Sequence, residues 1–422
     1  MSDVSRRDFL RRVGLGTVAV ASSGYVLSTW EWAGPAGAAV PRPGDVSSAK
    51  PGRTLVVVEL AGGNDGLNTV VPHADPAYHT LRPTLGVTQP LDLDGQIGLH
   101  PNLPKLAARY KAGQVAIVEG VGYTPPNLSH FQSLAVWWNA ERPTDAGGWL
   151  GSYLDATVGY DDPLAAIAVG SQPAPALVGQ RSFATTIADA SGLQPHLPIW
   201  AGAPDSLLRS WGHFAPAKVD SRQLLGQVER AVGLTVKART ELDQVLHPAS
   251  TATSTAAPSP QALYGGTVRQ SLTVAAQLIR SPLAPRVVYI TGVGDFDFHE
   301  GQAQRHPALM SELDAGIDGF FNALGDAADR ALVMTTSEFG RRPAENGSGT
   351  DHGTANSHFL VGPKVKGGRY GSPPSLTTLD ATNNLVPTTD FRTLYATGLH
   401  WLGVADTEPI LGAHFDAVGV LG

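Results

Sequence analysis

The stretch Thr54-Leu55-Val56-Val57-Val58-Glu59-Leu60, running straight into Ala61-Gly62-Gly63-Asn64-Asp65-Gly66-Leu67-Asn68, decides the fold class. A continuous β-branched run without polar alternation predicts a strand covered on both faces, as in a parallel sheet. Three glycines around Asn64 and Asp65 turn the backbone sharply at the strand end, where an open α/β sheet holds its ligands. Three further runs repeat the pattern. Gln114–Glu119 (QVAIVE) leads through Pro125-Pro126-Asn127-Leu128 into Ser129-His130-Phe131. Arg286–Thr291 (RVVYIT) leads into Gly292-Val293-Gly294-Asp295-Phe296-Asp297-Phe298-His299. Ala331–Thr335 (ALVMT) leads into Thr336-Ser337-Glu338-Phe339-Gly340-Arg341, and a further strand is expected at His358–Val361.

Helical patterns fall between these runs, at Leu103–Lys111, Phe131–Ala140, Leu224–Leu246, Leu309–Leu324 and Asp390–Leu402. In Leu309–Leu324, Leu309, Leu313, Ile317, Phe320 and Leu324 recur at steps of three and four, the spacing of one helix face. Strands alternating with helices predict an α/β protein with a doubly wound, mostly parallel sheet and helices on both faces. The main domain is expected over 54–422. A large insertion or cap is expected at about 170–280, with a mobile low-complexity loop at 248–260 (PASTATSTAAPSP).

The first forty residues carry a different signal. Ser5-Arg6-Arg7-Asp8-Phe9-Leu10 is a twin-arginine hexamer, followed by Arg11, Arg12, a diluted apolar segment Val13–Trp30 and the small-residue run Ala36-Gly37-Ala38-Ala39. That order is the layout of a cleavable export signal over 1–38, with a Pro/Gly/Ser-rich linker at 39–53. The expected partner is the twin-arginine translocase during export, the expected location extracytoplasmic, secreted or associated with the cell envelope. After cleavage no stable membrane span is expected, since no later apolar run approaches the roughly 20 residues of a spanning helix.

Composition narrows the chemistry. Of 422 residues 42% are hydrophobic and 16% charged, with a net charge of −7 and no basic stripe, which argues against nucleic acid as a partner. There is no cysteine, which removes thiolate metal sites and cysteine nucleophiles. What remains at the strand ends is carboxylate, imidazole and hydroxyl. Asp65, Asp297, His299, Glu338, Asp351 and His352 are the candidate metal ligands. Such O and N donors suit a divalent ion such as zinc, manganese, magnesium or calcium. Ser129, before a predicted helix, is the candidate nucleophile and equally a candidate N-cap. Arg341 is the nearest candidate for holding a substrate anion. His73, His100, His130 and His306 are assigned structural or surface roles, and Trp137 and Trp138 to the core.

Taken together, Val58–Pro72 (VELAGGNDGLNTVVP), Ser129–Phe131, Asp297–Gln302 (DFHEGQ), Thr336–Arg341 (TSEFGR), Glu345–Ala355 (ENGSGTDHGTA) and Thr389–Thr397 (TDFRTLYAT) resemble the bacterial DUF1501 family. That family is itself similar to the alkaline phosphatase and sulfatase superfamily. The resemblance implies metals at the strand ends, with Asp65 as a ligand after the first strand and Ser129 as the nucleophile at a helix N-terminus. It further implies Asp297, His299 and His352 around one ion, and Asp65 with Glu338 near a second. Phe339 stands where the superfamily has a histidine ligand, which counts against the second ion. Two functions follow as alternatives: a metal-dependent hydrolase of phosphate or sulfate esters, small or polymeric, and a non-catalytic binding or assembly protein on the same scaffold. A single-metal lyase or hydrolase of other esters is a third.

Overall fold

The structure, a computed structural model, describes residues 52–143, 146–158, 162–170, 172–190, 224–247 and 267–422. The expected signal at 1–38, all of the linker but Gly52 and Arg53, and the loop at 248–260 lie outside the described residues.

Nine strands form one sheet among the described residues: β1 (Thr54–Leu60), β2 (Val115–Gly122), β3 (Ala166–Val169), β4 (Thr185–Ile187), β5 (Val287–Val293), β6 (Ala331–Thr336), β7 (Asn356–Val361), β8 (Gly368–Gly371) and β9 (Thr389–Asp390). Their order is β8-β2-β7-β6-β1-β5-β3-β4, with β9 alongside β2. Every pairing is parallel except those of β7, which runs against both β2 and β6.

Alternation along β1 shows why the sheet is covered twice. Val56 and Val58 belong to one apolar layer and Leu55 and Val57 to the other. The first layer is completed by α1 (Pro104–Lys111), α5 (Val268–Arg280) and α6 (Gln302–Leu324), the second by α2 (His130–Asn139), α3 (Trp149–Thr157) and α7 (Arg392–Trp401). Another helix, α4 (Leu224–Leu246), has the span expected of it. Helix α5 begins on a reciprocal cap, Thr267 accepting from the Gln270 N–H while Gln270 accepts from Thr267, a pairing that fixes where the helix starts.

The expected insertion at 170–280 needs correction at both ends. Thr185–Ile187 is the edge strand β4, and α5 packs against α6 and β5, because its Leu272, Ala275 and Ile279 are core side chains. Both ends of the stretch therefore belong to the main layers.

The topology gathers the chemistry at one edge. Glu59 lies level with Thr336 and Leu60 with Val293, so the loops after β1, β5 and β6 leave the sheet together. Strand β2 ends at that edge, and β7, running the other way, begins there.

Candidate metal centre

Glycine lets these loops approach. Gly62 has φ +105°, and a Cβ there would stand 2.6 Å from the Asp297 backbone nitrogen. A Cβ on Gly349 would lie 2.3 Å from the Phe298 carbonyl oxygen. Any larger residue would push the β5 loop away from the β1 loop or the 345–355 loop.

Arg341 locks the loops once they meet. Its buried guanidinium donates to the carbonyls of Gly62, Gly63 (2.7 Å), Phe296 (3.1 Å) and Thr350 (2.8 Å), and to Asp297 Oδ1 at 2.8 Å. Each of its three nitrogens makes at least one bond inside the protein. In place of the anion-holding role expected of it, Arg341 serves as a brace, 1% exposed, that aims Asp297.

Around Asp297 stand three imidazoles. His352 Nε2 and His299 Nε2 each lie 3.1 Å from Oδ1, and His130 Nε2 lies 3.5 Å from Oδ2. Burial by itself would raise the Asp297 pKa, but the hydrogen bond and the charge of Arg341 hold it well below the ordinary carboxylate range. The carboxylate is thus ionised at any ordinary pH.

The tautomers are legible from the partners. His352 Nδ1 faces the Leu128 carbonyl at 2.8 Å, and a carbonyl only accepts, so Nδ1 carries the proton. Burial lowers the His352 pKa, which favours the neutral ring with an Nε2 lone pair turned to Asp297. His130 Nδ1 lies 2.7 Å from Glu338 Oε1, and its Nε2 is buried without a hydrogen-bond partner. Nε2 of His130, the Asp297 carboxylate and Nε2 of His352 lie within 4.8 Å of one another. Once the His130 Nε2 proton is displaced, two imidazole nitrogens and an ionised carboxylate would face one point, where a cation would complete the set. The donor set N, N, O fits a divalent metal.

Of the candidates read from the sequence, Asp297 and His352 are in this group, and His299 flanks it, 3.0 Å from His352 Nε2. Asp351 is one shell out: it meets His299 Nδ1 at 3.3 Å and accepts from Asn346, whose bond lowers its pKa. Glu338 is not a ligand here. Fully buried, it accepts from the Gly62 N–H at 2.9 Å and from His130, and so fixes the orientation of that ring. Asp65 is withdrawn altogether. Arg82 Nη1 holds its Oδ2 at 2.6 Å, Arg82 Nη2 its Oδ1 at 3.2 Å, and Gln302 and the Asn68 N–H take what is left. Burial would raise its pKa, but the Arg82 charge lowers it, so it is an ionised half of a closed buried pair. Neither of the two residues assigned to a second ion is thus available for it.

His130 is the candidate ligand that sequence reading missed, having been assigned a structural or surface role. Its signal was its place, directly after Ser129 at the end of the loop from β2. Phe339 packs against the rings of His130 and His352 at 4.9 and 4.7 Å and forms the apolar floor. Ser129 occupies the N-cap of α2 by its backbone, yet its side chain makes no capping bond. The hydroxyl is exposed and uncommitted.

Fold and site together define a class: a doubly wound, mostly parallel α/β protein with a histidine–aspartate centre of metal-ligand type where its strand ends meet. Within that class, the chain belongs to the DUF1501 family, described as a protein of unknown function, whose profile matches residues 138–417. No curated protein matches the sequence. Similar solved structures include a protein of the alkaline phosphatase superfamily from Vibrio parahaemolyticus, at 9% identity and TM-score 0.41, covering 87% of this chain and 71% of that one. They include the soluble domain of lipooligosaccharide phosphoethanolamine transferase A from Neisseria meningitidis, at 11% identity and TM-score 0.39, covering 89% and 96%. A putative sulfatase from Bacteroides thetaiotaomicron is 10% identical, with TM-score 0.39, covering 87% and 76%.

Proposed function

We propose that this chain is a hydrolase of phosphate or sulfate esters that uses one divalent cation held by His130, Asp297 and His352, with His299 beside it. The observation that carries the reading is the buried, unpartnered Nε2 of His130, fixed by Glu338 and turned toward Asp297. A cation bound there supplies positive charge against the anionic ester and lowers the pKa of water or a hydroxyl. Ser129 supplies the nucleophile. Its Oγ is free of capping duty, and the amino end of the ten-residue helix α2 favours negative charge developing there. Ser129 Oγ attacks phosphorus or sulfur as its proton passes to solvent, the ester oxygen leaves as the alcohol on taking a proton from solvent, and water then cleaves the seryl ester and restores the hydroxyl. Asp297 stays ionised throughout, and Phe339 keeps one side of the centre dry.

The test is metal analysis of purified wild type, His130→Ala and Asp297→Ala, followed by aryl phosphate and aryl sulfate panels with zinc, manganese, magnesium or calcium. About one ion per wild-type chain, lost in both variants, and turnover lost in Ser129→Ala support the reading. Metal content unchanged in His130→Ala overturns it. A second reading, a binding or assembly protein on this scaffold, is favoured by the commitment of Asp65, Glu338 and Arg341 to internal bonds. One tightly held ion without turnover of any ester would establish it.

Export belongs to the same proposal. The twin-arginine hexamer supports passage through the twin-arginine translocase to an extracytoplasmic location, and among the described residues no helix is long and apolar enough to cross a membrane. Replacing Arg6 and Arg7 together by Lys should hold the protein inside; equal export of both forms rejects the route.

A further inference from the structure

A cavity of 340 Å³ lies at the other end of α2 from the histidines, about 15 Å along the helix axis, with Glu141, Arg142, Ser152, Asp155, Arg392 and Ala413 on its wall. Its charges do not pair off. Glu141 is bound to Arg392 at 2.8 Å, and Arg392 is also held by Asp390 at 2.6 Å. Asp155 is enclosed by the backbone N–H groups of Gln180, Arg181 and Ser182 at 2.7, 3.0 and 2.6 Å. Arg142 has only neutral acceptors: the Asn139 carbonyl at 2.9 Å, Ser152 Oγ at 3.0 Å and the Gly147 carbonyl at 3.2 Å.

No carboxylate among the described residues pairs with Arg142. Its three bonds use three of the five guanidinium N–H groups, which leaves one on each terminal nitrogen. The acid next to it in the chain is held elsewhere. Ala140 and Glu141 both adopt left-handed conformations, φ 58° and 61°, uncommon for residues with a Cβ, and the carboxylate of Glu141 is engaged by Arg392. Burial draws the Arg142 pKa down to about 10.

We infer that this cavity is a second binding site, for a small oxyanion such as phosphate, sulfate or a carboxylate, received by the two unspent N–H groups of Arg142. Two donors in one plane suit two oxygens of one anion. Nothing in the inference depends on metal or catalysis at the histidine cluster.

Calorimetry on the full chain, stripped of metal by a chelator, tests it with inorganic phosphate, sulfate and malonate as separate probes. One saturable site is expected in wild type and in His130→Ala, which separates this cavity from the histidine centre. Arg142→Gln should weaken binding by about tenfold or more. Because Arg142 also braces the end of α2, a second variant guards against misfolding: Ala413→Phe blocks the exposed wall, leaves every Arg142 bond in place and should weaken binding as much. Binding that survives either substitution, or no saturation with any probe, overturns the site.

Discussion

Two aspartates stand just past the ends of neighbouring parallel strands, Asp65 after β1 and Asp297 after β5, and each meets a buried arginine. Arg82 turns its fork onto Asp65 and engages both oxygens, so the pair closes on itself at 2% side-chain exposure. Arg341 spends its donors on four carbonyls and gives Asp297 one contact, on Oδ1. Asp297 keeps 36% side-chain exposure and an Oδ2 facing His130. A carboxylate at a strand end is therefore left open or closed off according to whether its arginine takes one oxygen or both. Residue type and position alone do not distinguish them.

The largest effect expected from this contrast is on stability. Arg82→Ala strands the Asp65 charge in the interior and should cost about 3–5 kcal/mol in denaturant unfolding. Asp297→Ala, at a partly hydrated site, should cost less than half as much. Equal losses would break the distinction.

Metal binding should show the reverse order. Asp297→Ala is expected to weaken affinity by more than about a hundredfold, since removing even a second-shell partner costs about 10–100-fold. Asp65→Asn should change affinity little in whatever fraction folds. A comparable loss in Asp65→Asn would return Asp65 to the ligand set.

Proton competition sharpens the same picture more modestly. The Glu338 hydrogen bond raises the His130 pKa above 6.5, while burial opposes it. A metal must displace that proton, so affinity should climb by up to about tenfold per pH unit up to the raised pKa and then level off. Glu338→Gln should move the levelling point to lower pH. A pH-independent affinity from 6 to 8 would remove His130 from the centre.

The smallest expected effect is the stability of Ser129→Ala, within about 0.5 kcal/mol, because no capping bond is lost. A loss of about 1 kcal/mol or more would mean the hydroxyl caps α2 after all.

The strands were readable because burial on both faces writes itself as unbroken β-branched sequence, as in Thr54–Leu60 and Ala331–Thr336. The reversed direction of β7 has no such signature: Asn356–Val361 is buried like its parallel neighbours. Asp297, His299 and His352 were legible as metal-type residues in loops after or between strands. The roles of Asp65, Glu338 and Arg341 were not, because each depends on partners far along the chain, Arg82, His130 and the Gly62 and Gly63 carbonyls. Pairwise fate of that kind leaves no mark in local pattern.

Arg341 carries a consequence for how the molecule assembles. Its charge leaves water at acceptable cost only when the segments bearing Gly62 and Gly63, Phe296 and Asp297, and Thr350 are all in place, segments separated by up to about 290 residues of chain. Any one of them missing leaves a dehydrated guanidinium with too few acceptors. Half-formed versions of this edge are thereby penalised, and the loops should open and close as a single cooperative unit, with the amide protons of Phe296, Phe298 and Thr350 exchanging with solvent together.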